Sequence, residues 1–199
     1  MKRNPCPCRR WVLATIASTA IITPLLFWHN GLYINVSPSV PGLLFQRTAI
    51  TAADLTPGAL VFTCPPDTAV FREARDRGYL RWGITCPGNY APLLKPIAAR
   101  YPDQVSFTPD GVRVGWRTLP NSKRLHVDGQ GRAMPSQPPA GLVPKQYVWL
   151  LSTHHPNSFD SRYFGALPTT AIIGKAVPLL RPATHPELLL LNDNNKERT

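Results

Sequence analysis

Acidic residues are scarce in this chain of 199 residues: Asp and Glu total 11 against 22 Lys and Arg, a formal net charge of +11. Such an excess invites a nucleic-acid reading. Yet the cations are scattered, and no stretch interleaves basic and aromatic residues as a platform for stacked bases requires, so nucleic acid is set aside as a partner. A basic surface beside anionic lipid accounts for the charge. Metal chelation lacks its raw material too: the chain has 4 Cys and 5 His, and no His or further Cys stands at zinc spacing from either cysteine pair. Long soluble helices are discouraged by 23 prolines, since each fixes φ and removes a backbone donor. No internal repeat is visible.

Charge is missing altogether from residues 11–28, WVLATIASTAIITPLLFW, while Lys2, Arg3, Arg9 and Arg10 all precede that run. Its length falls within the roughly 17–25 residues of a membrane-spanning helix, and the basic residues before it place the amino terminus in the cytoplasm. A cleavable secretory signal has the same basic start. Its apolar core, however, spans about 7–15 residues, and no small-x-small cleavage site follows here. Pro24 is tolerated in a spanning helix, and Trp11 and Trp28 suit the interfacial belts. The expected organisation is a cytoplasmic basic segment at 1–10, a single transmembrane anchor at 11–28, a periplasmic domain at 29–191 and a polar tail at 192–199. A bacterial inner-membrane protein with its folded domain in the periplasm, in contact with membrane lipid, fits that layout.

Under this topology the cysteines divide. Cys6 and Cys8 stay on the reducing cytoplasmic side. Cys64 and Cys86 are exported, and an oxidising periplasm favours a disulfide closing a ~20-residue loop, worth about 3 kcal/mol in the chain-entropy model.

Short β-like runs punctuated by turn residues recur at 43–50, 59–63, 105–108, 112–116, 147–152 and 171–179, so the exported domain reads as mainly β. Pro109-Asp110-Gly111 should close a hairpin, with Asp-Gly supplying the positive φ of a tight turn. One short helix is expected over 68–77, with Asp67 as N-cap, Val70, Phe71 and Ala74 as its apolar stripe and Gly78 as its stop. Residues 120–144, rich in Pro, Gly, Ser and Gln, read as irregular surface loop.

Three places could carry chemistry. Ser39 lies in Ser37-Pro38-Ser39-Val40-Pro41-Gly42, about a dozen positions beyond the apolar run, a segment that turn chemistry alone would explain. Lys95 sits in Ala91-Pro92-Leu93-Leu94-Lys95-Pro96-Ile97. Pressed into apolar surroundings, its pKa falls from ~10.4 and the amine can accept a proton, whereas a snorkelling lysine would keep its charge in water. A serine hydroxyl needs such a base, and a Ser-Lys dyad is a known variant of the triad. The third place is the polar run from Ser152 to Gly165, where Ser158, Asp160 and Arg162 share the parity of one strand face. His154 and His155 are adjacent, so they project apart along an extended chain, make a poor chelate and read as loop residues.

Ser39 in its Ser-x-Ser-Val-Pro setting, Lys95 in Leu-Leu-Lys-Pro, and Asn157-Ser158-Phe159-Asp160-Ser161-Arg162-Tyr163-Phe164-Gly165 occur in the order seen in bacterial type I signal peptidases. The chain resembles that family over nearly the whole exported domain. The segment from Leu142-Val143-Pro144 through Gly165 to Ile173-Gly174-Lys175-Ala176 is the most specific match. Cys64-Pro65-Pro66, Phe71-Arg72-Glu73-Ala74, Gly78-Tyr79 and Cys86-Pro87-Gly88 make it most similar to the conjugative-transfer branch of TraF type. The resemblance implies a signal-peptidase-like β fold with Ser39 as nucleophile, Lys95 as general base and Ser37 in the oxyanion hole beside the Ser39 N–H. It implies further that Ser158 orients the lysine and that Asp160 and Arg162 form a buttressing pair, with Asp160 also counted among the catalytic residues of conjugative relatives. No cofactor or metal is implied.

Where the common family pattern has Gly-Asp-Asn, this chain has Ser152-Thr153-His154, which favours the conjugative branch. The expected activity is cleavage of an exported precursor, foremost a pilus subunit, with the acyl group released by water or by the substrate's own amino terminus to give a ring. Two alternatives remain: general maturation of secreted preproteins, and a non-catalytic scaffold of a secretion or pilus complex.

Overall fold

The computed structural model describes residues 31–180, together with Trp11, Val12, Ile16 and Thr19, whose backbone is helical. The basic segment 1–10, most of the anchor expected at 11–28 and the tail 192–199 lie outside the described residues. Among the described residues no helix is long and apolar enough to cross a membrane.

The domain is mainly β. Its strands are β1 (Leu32–Ile34), β2 (Leu44–Thr48), β3 (Leu60–Thr63), β4 (Trp82–Cys86), β5 (Leu93–Arg100), β6 (Gln104–Thr108), β7 (Gly111–Val114), β8 (Arg117–Thr118), β9 (Gly141–Leu142), β10 (Tyr147–Leu150), β11 (Leu167–Pro168) and β12 (Ile172–Leu180). Two α-helices interrupt them, α1 (Ala69–Asp76) and α2 (Ser161–Phe164). A seven-stranded sheet runs β1-β2-β12-β3-β5-β10-β11, and a four-stranded sheet runs β8-β7-β6-β9. Among the described residues every strand ladder is antiparallel. Strand β4 joins neither sheet. It folds back on the chain that follows it, with Gly83 N donating to Asn89 O at 3.1 Å and Ala91 N to Arg81 O at 2.9 Å.

Burial explains why these pieces hold together. Phe71 and Ala74 of α1 pack on Val61, Ile97, Leu150, Phe159 and Tyr163. Ala99, Val105, Val112, Trp149 and Leu151 form a second core. Val40, Phe45, Phe62 and Ala176 form a third beside the β1–β2 edge. Each fully buried Phe, Leu or Val contributes about 1.5–3 kcal/mol relative to an exposed one.

Every expected strand is present with shifted ends, and the shifts have local causes. The 112–116 run ends at Val114, because Gly115, at φ 59°, and Trp116 form the turn into β8. Trp116 is left 84% exposed at the tip. In the β6–β7 hairpin, Thr108 pairs with Gly111, so Pro109 and Asp110 are the turn residues and Gly111 opens β7. Gly111 does carry positive φ, 146°, and a Cβ there would meet Ser122 Oγ at 2.4 Å.

Helix α1 begins after Thr68 rather than Asp67. Thr68 has the extended cap backbone without a side-chain bond, and Asp67 is engaged elsewhere, by Arg72 at 3.2 Å and the Tyr90 hydroxyl at 3.2 Å. Gly78 stops the helix with φ 79°, as expected. Cys64 and Cys86 form the disulfide, tying the chain after β3 to the end of β4.

Candidate active site

Strand β1 delivers the chain into Asn35-Val36-Ser37-Pro38-Ser39, and Asn35 cinches the turn that follows. Its Nδ2 donates to Val40 O at 2.8 Å and Gly42 O at 3.0 Å, while its Oδ1 accepts from Ser37 N at 3.0 Å. This is the local side-chain-to-backbone bonding that Asn favours in turns. Ser37 and Ser39 are thereby brought together: Ser37 Oγ donates to Ser39 Oγ at 3.1 Å and accepts from Ser39 N at 3.3 Å. Ser39 is buried, and Val40 beside it is sunk into the third core.

Lys95 projects from β5, a strand flanked by β3 and β10, with Val61 directly opposite. It is 4% exposed. Its Nζ donates to Ser158 Oγ at 2.7 Å, a buried bond across 63 positions. Burial pushes the amine down from 10.5 to about 8; Arg162 adds to the lowering, and the Asp160 carboxylate pulls the other way. The polar run reaches Lys95 because β10 pairs with β5 and Leu151 N then donates to Pro96 O at 3.1 Å, carrying the chain past the lysine.

Behind Ser158 lies a fully buried ion pair. Arg162 Nε reaches Asp160 Oδ1 and its NH2 reaches Oδ2, each at 2.8 Å, the bidentate fit of guanidinium to carboxylate. The remaining guanidinium donors go to the carbonyls of Asn121, Pro156, Lys123 and Ser158 at 2.9, 2.8, 3.3 and 3.1 Å. Asp160 also caps α2 by accepting from Arg162 N at 3.2 Å, and it accepts from Ser152 N at 3.1 Å. With both charges satisfied inside the protein, the pair fixes the backbone around Ser158 rather than facing solvent.

Ser37, Ser39 and Lys95 line one groove of about 1000 Å³. Its walls are largely apolar, with Ile34, Val36, Phe62, Leu93 and Met134 among the lining and Tyr79, Arg81 and Asp128 as polar members. Arg81, Gly83 and Thr85 of the β4 segment form part of the wall, and Leu125, Val127, Asp128 and Gly129 of the long loop form another. That loop is pinned by Leu125 N to the Tyr163 hydroxyl at 3.1 Å and by the Tyr79 hydroxyl to Asp128. A serine hydroxyl and a desolvated amine facing one groove are the combination nucleophilic acyl transfer uses.

His155 is among the groove-lining residues, and its Nδ1 accepts from Asn157 N at 3.2 Å, a loop-stabilising bond. His154 is exposed. Among the described residues no group of three or more His, Cys, Asp or Glu could hold a metal ion. Reading the sequence missed Asn35 and Ser152. An Asn two positions before Ser37 is a signal for an Asx-type turn, but nothing local marks what Ser152 touches.

The model of the family described as "Signal peptidase, peptidase S26" matches residues 8–180. The chain belongs to that family. It is 42% identical over 169 residues to a probable conjugal transfer protein TraF of Sinorhizobium fredii, covering 84% of this chain and 87% of the relative. It is 40% identical over 150 residues to conjugal transfer protein TraF of Agrobacterium tumefaciens, covering 75% and 82%. It is 36% identical over 151 residues to plasmid transfer protein TraF of Escherichia coli, covering 75% and 83%. An S26 signal peptidase takes a protein substrate, and an open apolar groove beside a buried amine suits an extended chain.

Proposed function

We propose that this signal peptidase is a serine endopeptidase that serves conjugation by cleaving an exported precursor, foremost a pilus subunit. It would be held in the inner membrane by residues 11–28, with its catalytic domain in the periplasm. The observation that carries the reading is the meeting of Ser37, Ser39 and the buried Lys95 in one groove. The names of the relatives, conjugal and plasmid transfer proteins, support the setting.

In this mechanism Ser39 Oγ attacks the scissile carbonyl and its proton passes to the neutral Lys95 amine. The Ser39 N–H and the Ser37 hydroxyl stabilise the oxyanion, for which Ser37 turns from its bond to Ser39 Oγ. Lys95 returns the proton to the departing amine, leaving the substrate's acyl group on Ser39. A water molecule, or the amino terminus of the same substrate, then releases it. Ser158 holds the Lys95 amine in place, and Asp160 with Arg162 holds Ser158.

Ser39→Ala and Lys95→Ala proteins should fold and accumulate unprocessed precursor. A Lys95→Ala protein that still matures its precursor would overturn the mechanism. Mass spectrometry of the mature product separates the two release routes, since a ring is lighter than the linear chain by one water. A panel of secreted preproteins should pass unprocessed; their cleavage would favour general signal-peptide removal instead.

A further inference from the structure

Ser152 follows β10. It is fully buried. Its Oγ donates to the Ser39 carbonyl, a tie across 113 positions of chain. Its own N–H donates to Asp160 Oδ2 at 3.1 Å, and its Oγ accepts from His154 N at 3.2 Å. A glycine could make the bond to Asp160 but not the bond to Ser39.

We propose that Ser152 is a positioning residue whose hydroxyl fixes the backbone of Ser39 relative to the buried Asp160–Arg162 pair. The inference rests on Ser39 being the nucleophile. Ser39 lies in a loop between β1 and β2 rather than in a ladder, and its N–H is met by the neighbouring Ser37 side chain. The tie to Ser152 therefore relates that loop to the far side of the site. On that far side Arg162 donates to the Ser158 carbonyl, and the Ser158 hydroxyl receives the Lys95 amine. Both halves of the dyad are thus braced against one ion pair, Lys95 through Ser158 and Ser39 through Ser152. A displacement of the nucleophile by about 1 Å is enough to slow a reaction on the order of 10²-fold.

The test compares Ser152→Thr with Ser152→Val, side chains of one shape that differ by the hydroxyl. The probe is an internally quenched peptide with alanine before the scissile bond, with wild type and Ser39→Ala alongside. The Val protein should show a kcat about 10- to 100-fold below the Thr protein, with KM changed by less than about twofold. The midpoint of its pH profile should stay at the wild-type value, because the Lys95 to Ser158 bond is untouched. Equal kcat in the two proteins, or a loss confined to KM, overturns the proposal.

Should the added methyl prevent folding, Ser152→Ala and Ser152→Gly, which add no bulk, take their place. Wild-type kcat in both then overturns it, and a kcat loss in both at unchanged KM supports it. Full activity in Ser39→Ala sinks the nucleophile reading itself, whereas a dead Ser39→Ala beside equal Thr and Val proteins sinks only the role of Ser152.

Discussion

The Lys95 amine donates to the Ser158 hydroxyl at 2.7 Å in a site where both side chains are buried. An oxygen accepting from an ammonium favours the charged form, so Ser158 works against the desolvation that lowers the lysine. It also points the amine.

Activity should therefore follow the neutral fraction of Lys95, rising with pH to a plateau past a midpoint near the value of about 8 set chiefly by burial. Ser158→Ala removes the acceptor. Its kcat should fall by about 10²-fold, and the midpoint should move down, because the ammonium loses a bond that stabilised it. Peptide cleavage measured from pH 6 to 10 in both proteins checks this. A midpoint that moves up contradicts it.

The same lysine carries a stability cost with a definite pH window. Its pKa is 10.5 for an ordinary lysine and about 8 in the fold, where burial disfavours the ammonium. Between those two values the unfolded chain binds more protons, so stability climbs with pH across that range. The penalty is fully present below the folded value and vanishes above the unfolded one. Lys95→Met should raise the unfolding free energy at neutral pH by up to on the order of 3 kcal/mol, seen as a higher melting temperature. The advantage should shrink as pH approaches 10.5. Thermal melts across that range read the difference directly.

Arg162→Ala should be far more damaging than a surface substitution. It strands the Asp160 carboxylate in the interior and strips donors from the carbonyls of Asn121, Lys123, Pro156 and Ser158. Breaking a buried pair from one side costs about 3–5 kcal/mol. Arg162→Lys should recover little, since an ammonium cannot reproduce the two parallel bonds to Asp160. Urea unfolding should show a lowered midpoint with the slope retained.

How much of this was legible in the sequence depends on the range of the interaction. Alternating apolar runs bounded by turn residues identified β2, β3, β6, β7, β10 and β12, because strand patterning is local. Strand β5 was not read as a strand although it carries Lys95: Pro96 lacks a ladder donor, and a proline argues against a central strand. Here Pro96 still serves as an acceptor, from Leu151 N at 3.1 Å. Strands β1, β8, β9 and β11 have two or three residues each, too few for periodicity to register.

In the candidate site, Lys95 stood out by its apolar setting and the run from Ser152 to Gly165 by its density of polar groups, whereas the roles proposed for them and for Ser39 came from the resemblance to a family. The Ser152 to Ser39 bond joins residues 113 apart, and no pattern in one sequence announces such a contact. Asp160 and Arg162 do pair, but not from one strand face, since Arg162 lies in α2 and Asp160 is its cap.

The disulfide makes a prediction about substrate binding as well as stability. Cys64 and Cys86 are 22 positions apart and enclose α1. Losing the bridge should cost about 3 kcal/mol by loop-closure entropy. Strand β4, however, belongs to neither sheet, and Arg81, Gly83 and Thr85 of its segment line the groove. Gly83 lies so close to its neighbour that an added Cβ would meet Ala91 Cα at 2.7 Å, so this wall is set by tight backbone packing as well as by the bridge. Ser39 and Lys95 stand on other elements. A Cys64→Ala/Cys86→Ala protein should therefore bind substrate worse while its chemistry survives, with KM raised about 3- to 10-fold and kcat within about twofold of wild type. Reductant added to the wild-type protein should reproduce the change. A fall in kcat at constant KM would mean instead that the bridge holds the nucleophile and base themselves.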